Sequence, residues 1–316
     1  MKEGRDDGVL VIGEPLAELR PAADGSLAVD YSGDALNVAV RLARGGRSVA
    51  LATAVGADRF SGELLERMSG EAVSDRWVQR TPDGVLGIYL VELDGAERRF
   101  TYWRSTSAAS RLVDAVGPDR LRAAAVESEV VVLSGITLAI LDEDQRRTLV
   151  ELLSDACRSG TRVVFDPNVR LLVWGSLRDA QRWTGELVRL ASVVLASTED
   201  LELLGVSTDG LSGQVDELVV TAGADPTRWW CDGASGAIDV PPVEAVDTTG
   251  AGDAFDAAYL LARLGGADVP GSVVAGHAAA ADAVRHRGGL LWDAAGSRGT
   301  GPSGVGARST DSARTT

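Results

Sequence analysis

Short apolar runs alternate with amphipathic stretches along most of the chain. "VLVIGE" (9–14) is a continuous apolar run closed by Gly13 and Glu14, the pattern of a buried strand. "LAELRP" and "LAVDYS" flank the turn-prone "AADGS", which predicts a hairpin. "DALNVAVRLARGG" then spaces its apolar residues as a helix does and stops at Gly45 and Gly46. "SVALATAVG" reads as a strand, and "DRFSGELLERMS" as a helix with Asp58 at its N-cap. A second extended pair, "GVLGIYLVEL" and "RRFTYWR", is joined by "DGAE". Beyond it the strands "EVVVLSG", "TRVVFDPN", "SVVLAS" and "DELVVTAG" alternate with helical segments such as "LDEDQRRTLVELLSDACRSG" and "DAQRWTGELVRLA". That order predicts an α/β fold with a mostly parallel sheet and helices on both faces. The two early hairpins do not fit inside such a sheet and are expected to form a small appended β element.

Composition narrows the functions open to this fold. The 316 residues, 45% of them hydrophobic, suffice for one large α/β domain or two smaller ones. No apolar run is long enough to cross a bilayer, and the run at Val9 is too short for a signal peptide, so a cytoplasmic protein is expected. Cys157 and Cys231 lie far apart, against a disulfide framework or a zinc site. A net charge of −15 argues against nucleic acid or an anionic membrane as partner, but leaves room for an anionic small molecule in a local arginine pocket. Lys2 is the only lysine, in a terminus expected to fray, which excludes Schiff-base, pyridoxal and P-loop chemistry. Residues 296–316 are rich in Gly, Ser, Thr and Arg and are expected to be a disordered tail.

The chemistry concentrates in "AVDTTGAGDAF" (245–255). Gly250, Ala251 and Gly252 stand where an extended segment meets the apolar helix "DAFDAAYLLARLGG". A helix start carries unpartnered N–H groups and partial positive charge, and glycines let an anion approach them. Asp253 is either a cap for that helix or a general base beside a phosphoryl group. A Gly-x-Gly-Asp alone leaves these two readings near balance.

The unbroken string "DTTGAGDAF" resembles the C-terminal signature of the PfkB, or ribokinase-like, family of sugar kinases, and "YSGDALNVAVRLARGG" (31–46) is similar to its N-terminal signature. The resemblance implies a three-layer α/β/α sandwich with a small β-sheet lid. It further implies one kinase domain over 1–295, with lid strands from about 15–32 and 85–104, using ATP and Mg²⁺. On this reading Asp253 is the base, and Gly250, Ala251, Gly252 and the Asp253 N–H form an anion hole. Gly33, Asp34 and Asn37 hold sugar hydroxyls. Members often dimerise through the lid, which implies a homodimer.

Three further segments, "RRFTYWRSTSAASRL" (98–112), "LSGITLAI" (133–140) and "VVFDPNVRLLVW" (163–174), resemble the branch of that family acting on 2-dehydro-3-deoxygluconate. A sugar acid needs a cationic partner, so Arg104 and Arg170 are the candidates for its carboxylate; the alternative is that they are surface or ion-paired arginines. Tyr89, Tyr102 and Trp103 are expected to cover the substrate, although strand alternation allows Trp103 to face a core instead. Asn168 and Arg170 would line the meeting point of sugar acid and phosphates. The nucleotide side departs from the family pattern: Ser197 and Asp200 stand where Asn-x-x-Glu is usual, Thr221 replaces a Lys ahead of Gly223, and Gly288–Gly289 stands for Gly-Asp. His277 and His286 read as structural or surface residues. The alternatives are a kinase for another sugar such as fructose or ribose, or a non-catalytic sugar-acid sensor. A nicotinamide dehydrogenase has little support, because "VIGEPL" lacks the further glycines of a dinucleotide fingerprint.

Overall fold

The computed structural model describes residues 6–22, 24–94 and 97–292; the 296–316 segment and the two central residues of the "DGAE" turn lie outside them. In chain order the first half contains β1 (Asp6–Ile12), β2 (Leu16–Pro21), β3 (Leu27–Ser32), α1 (Asp34–Arg44), β4 (Val49–Val55), α2 (Arg59–Gly70), β5 (Val73–Ser74), β6 (Val78–Arg80), β7 (Gly87–Asp94), β8 (Glu97–Trp103), α3 (Leu112–Val116), α4 (Pro118–Glu127), β9 (Ser128–Ser134), α5 (Gly135–Ala139) and α6 (Glu143–Arg158). The second half continues with β10 (Arg162–Asp166), α7 (Leu171–Trp174), α8 (Leu177–Val188), β11 (Val193–Ser197), α9 (Thr198–Leu204), α10 (Thr208–Ser212), β12 (Glu217–Ala222), β13 (Asp225–Cys231), β14 (Ala234–Ile238), α11 (Ala251–Leu264) and α12 (Val269–Ala283).

The large sheet runs β14-β13-β12-β11-β10-β9-β1-β4-β5, with β6 beside β4. It is parallel from β12 to β5 and antiparallel only at β13 and β14. Strict alternation along its strands feeds two cores. Leu10, Ile12, Val131, Leu133, Val163 and Phe165 face the side covered by α4, α6 and α8. Val9, Val11, Val130, Val132 and Val164 face the side covered by α1, α11 and α12. Each fully buried Leu or Val contributes about 1.5–3 kcal/mol, so these two apolar layers supply much of what holds the parallel sheet. The two early hairpins form a separate sheet, β3-β2-β7-β8, in which β2 and β7 run parallel. This is the ribokinase-like α/β architecture with a small separate sheet, as the strand order and the hairpins predict.

The β13–β14 hairpin was not foreseen. Pro226 reads as a break, yet it falls where the β12–β13 register shifts, a place where a strand tolerates a missing N–H. The legible signal was Asp232-Gly233: both adopt positive φ (49° and 75°), the requirement of a tight hairpin turn. Asp58 does cap α2, accepting from the Ser61 N–H. No helix among the described residues is long and apolar enough to cross a membrane.

Candidate active site

A cleft of about 960 Å³ lies between the four-stranded sheet and the carboxyl ends of β9 to β12, where an open α/β sheet receives ligands. Glycine shapes its two helix starts. Gly33 precedes α1 at φ 118°, and a Cβ there would sit 2.6 Å from the Glu14 carbonyl. Gly250 precedes α11 at φ 71°, and a Cβ there would sit 2.5 Å from the Gly289 carbonyl. Only glycine fits either place.

Asp253, on the first turn of α11, does not cap its helix. Its carboxylate accepts from Asn37 Nδ2 at 2.7 Å, across from α1, and Asn37 Oδ1 in turn accepts from Ser32 Oγ at 3.2 Å. The Asp253 carboxyl is pushed up to about 6, by burial first and then by Asp34, against the opposing pull of Asn37, Arg41 and Arg170. The Ala251 N–H is committed to the Thr248 carbonyl at 3.3 Å, and Ala251 does not line the cleft. The expected anion hole therefore contracts to the N–H groups of Gly252 and Asp253, with Gly250 as the turn; among the described residues neither N–H has an acceptor.

The wall made by the small sheet and α1 carries most of the residues predicted to bind the sugar. Gly33, Asp34, Asn37, Tyr89, Tyr102 and Arg104 all line the cleft, with Ser32 and Phe100, which sequence reasoning missed. Asp34 accepts from Ser134 Oγ, and the Tyr89 hydroxyl donates to the buried Glu18. Trp103 departs from expectation. Strand alternation turns it away from Tyr102, and at 56% exposure it lies neither in the cleft nor in a core.

The two arginines differ. Arg104 is paired with the wholly buried Glu14, Nε donating at 2.7 Å, and Ser107 Oγ donates to the same carboxylate. Burial pushes the Glu14 carboxyl up, with Arg104 opposing it. Arg170 is exposed and among the described residues bonds only the Val169 carbonyl, at 3.1 Å, so it is the freer cation for an incoming anion. Glu14 escaped notice in the sequence, although an acid closing a buried strand was its signal.

On the opposite wall Ser197 caps α9 and forms a reciprocal capping box with Asp200. Asp200 also accepts from the Val169 N–H at 2.7 Å, which ties the 167–170 loop to α9. Thr221 lines the cleft, its hydroxyl donating to the Ala196 carbonyl at 3.3 Å. Gly223, expected on the nucleotide side, belongs to the β12–β13 turn at φ 63° and is not part of the cleft wall. His277 is buried against Thr227 Oγ1 at 2.8 Å, and His286 lies beyond the end of α12.

The cleft floor is acidic: Asp34, Asp166, Asp200, Asp247, Asp253 and Asp256 face it, against Arg104 and Arg170. Burial and mutual repulsion push the Asp166 and Asp256 carboxyls well up. Asn168 is held at φ 35° and buried, its Oδ1 without a hydrogen-bond partner among the described residues. No three acidic, His or Cys side chains among the described residues form a metal cage. Asp166 and the orphaned Asn168 oxygen fit Mg²⁺, which keeps most of its shell as water and phosphate oxygens and takes only one or two carboxylates.

The sequence profile of the pfkB family carbohydrate kinases matches residues 8–292. The chain belongs to that family. It is 32% identical over 301 residues to a Dickeya dadantii protein named 2-dehydro-3-deoxygluconokinase, covering 90% of this chain and 96% of that one. It is 31% identical over 276 residues to a Klebsiella pneumoniae fructokinase, covering 84% and 87%. Among solved structures it is similar to a Pyrococcus horikoshii sugar kinase in complex with ATP, at 26% identity and a TM-score of 0.75, covering 89% and 93%. The chain is thus a carbohydrate kinase.

Proposed function

We propose that the chain transfers the γ-phosphoryl group of ATP to the terminal hydroxyl of 2-dehydro-3-deoxy-D-gluconate, giving the 6-phosphate, in the cytoplasm where ATP is held. The observation that carries the reading is the orientation of Asp253. Asn37 holds its carboxylate at the cleft floor, beside N–H donors that have no acceptor. Asp253 takes the hydroxyl proton as the alkoxide oxygen attacks phosphorus in line, and the bond to ADP breaks. The Gly252 and Asp253 N–H groups meet the charge spread over the equatorial oxygens. Asp166 and Asn168 would hold Mg²⁺, which when bound neutralises phosphate charge. Arg170 grips the sugar-acid carboxylate, with Arg104 beside it, and Tyr89 and Tyr102 cover the carbon chain. The similarity to the Dickeya dadantii kinase supports the keto-deoxy acid, and the Pyrococcus horikoshii complex supports ATP.

A neutral hexose such as fructose is the second reading. It is favoured by the Arg104–Glu14 pair, which leaves a single unpaired arginine at the sugar, and by the Klebsiella pneumoniae relative. The test is ADP release with ATP, Mg²⁺ and a panel of 2-dehydro-3-deoxygluconate, gluconate, fructose and ribose. Turnover is expected on the keto-deoxy acid alone, with Asp253→Asn about 10²–10⁴-fold slower. Turnover on fructose instead replaces the substrate; binding of the keto-deoxy acid without any turnover makes the protein a sensor.

A further inference from the structure

Helix α1 presents Asp34, Asn37 and Arg41 along one face, at i, i+3 and i+7. The first two line the cleft; Arg41 lies behind it. Its Nη2 donates to the Gly289 carbonyl at 3.2 Å, and that oxygen is the atom closest to where a Cβ on Gly250 would stand, at 2.5 Å. Arg41 therefore braces the segment against which the turn before α11 packs. Its Nε is buried and has no hydrogen-bond partner among the described residues. Burial lowers its own proton affinity, and the two carboxylates it faces, Asp253 on α11 and Asp282 on α12, raise it.

We propose that Arg41 is a positioning residue: a fixed cation behind the phosphate site that keeps Asp253 in its charged, proton-accepting form while the substrates are bound. The inference rests on Asp253 being the base. The charged groups around Asp253 come from three elements. Asp34 and Arg41 face it from α1, Asp166 and Arg170 from β10 and the loop after it, and Asp256 from the next turn of α11. The acids all oppose its ionisation. Of the two cations, Arg170 is open to the cleft, and an anionic ligand that engages it cancels its help to Asp253. Arg41 is not part of the cleft lining and spends Nη2 on the Gly289 carbonyl, so its field persists when phosphates fill the cleft. In a chain whose only lysine is Lys2, no other fixed cation among the described residues supports Asp253 from behind.

The experiment is the pH profile of kcat, which reports the substrate-bound enzyme, for wild type, Arg41→Gln, Arg41→Lys and Arg41→Met, with thermal midpoints measured alongside. Gln keeps a donor for the Gly289 carbonyl but removes the charge. The acid limb is expected to move up by about 0.5–1 unit in Arg41→Gln, so the loss grows as pH falls, and to return in Arg41→Lys. Arg41→Met removes both the charge and the donor and is expected to move the limb up as Gln does. An unmoved limb in Arg41→Gln, or an equal loss at every pH in both Gln and Lys, overturns the inference in favour of packing alone. If Arg41→Gln does not fold, an unmoved limb in Arg41→Met overturns it. Asp253→Asn separates the two readings. Retained turnover there removes the base and this inference together, whereas lost turnover with an unmoved Arg41→Gln limb removes this inference alone.

Discussion

On the wall made by the small sheet and α1 Asn37 aims its amide across the cleft at Asp253, whereas on the β11–β12 wall Ser197 and Asp200 are turned upon each other. Both walls are polar and both are rich in hydrogen bonds. The first uses its bonds to hold Asp253, the proposed base, in place, and the second uses them to hold its own loop. Asp200 accepts from the Val169 N–H and from both the N–H and the hydroxyl of Ser197, which leaves little of its carboxylate for a ligand. Departure from a family motif therefore need not mean a lost site. Here the altered residues serve as scaffold, and on the proposed reading Asp166 and Asn168 at the cleft floor supply the oxygens in their place.

The contrast is broken most severely at Gly289. A Cβ there would meet Ser32 Oγ at 2.5 Å and Asn37 Nδ2 at 2.9 Å, driving Asn37 off Asp253. Gly289→Ala is expected to lower kcat by about 10²-fold, the usual result of a misplacement near 1 Å, with little change in the KM for ATP. A variant that loses ATP affinity and keeps kcat would place the defect on the wrong wall.

A milder test lies at Ser197. Ser197→Ala removes the cap of α9 and is expected to cost about 1 kcal/mol of stability, with a rise of a few-fold in the KM for ATP and none in the KM for the sugar. A large fall in kcat with unchanged thermal stability would mean that Ser197 touches phosphate directly.

The smallest effect is expected at Asp256, between the two walls. Burial and the neighbouring Asp166 raise its carboxyl well above the ordinary range, so its ionised form weakens the fold. For a group raised in this way, the stabilising contribution is present at low pH and is lost as pH rises through the folded value. Asp256→Asn should therefore raise Tm, with a gain that is larger at neutral pH than at about pH 4, near the ordinary Asp value. A Tm gain independent of pH would show that repulsion is not the cause.

Sequence patterning made the sheet legible because its strands are buried on both faces and read as short apolar runs, while α2 was marked at its start by Asp58. The β13–β14 hairpin was hidden because half-exposed strands carry no strong alternation and Pro226 masks the first of them. In the site, residues fixed by a backbone requirement, such as Gly33 and Gly250, could be read from the string itself. Pairings could not. That Glu14 answers Arg104, that Gly289 stands behind Gly250, or that Ala251 commits its N–H to Thr248 depends on parts of the fold that no local string records.

The contact between Gly250 and Gly289 also sets an order of events. Asn37 and Asp253 are 216 positions apart, and the turn that presents the phosphate donors rests on a segment near the end of the described chain. Loop closure over such a span comes late in folding, after the local helices and neighbouring strands have formed. The same late segment also closes on the small sheet, where Trp292 Nε1 donates to the Tyr31 carbonyl and Arg20 Nη1 to that of Arg287. A chain stopped short of residue 287 is therefore expected to lack both the surface behind the Gly250 turn and these ties to the small sheet, and on the proposed reading to be inactive.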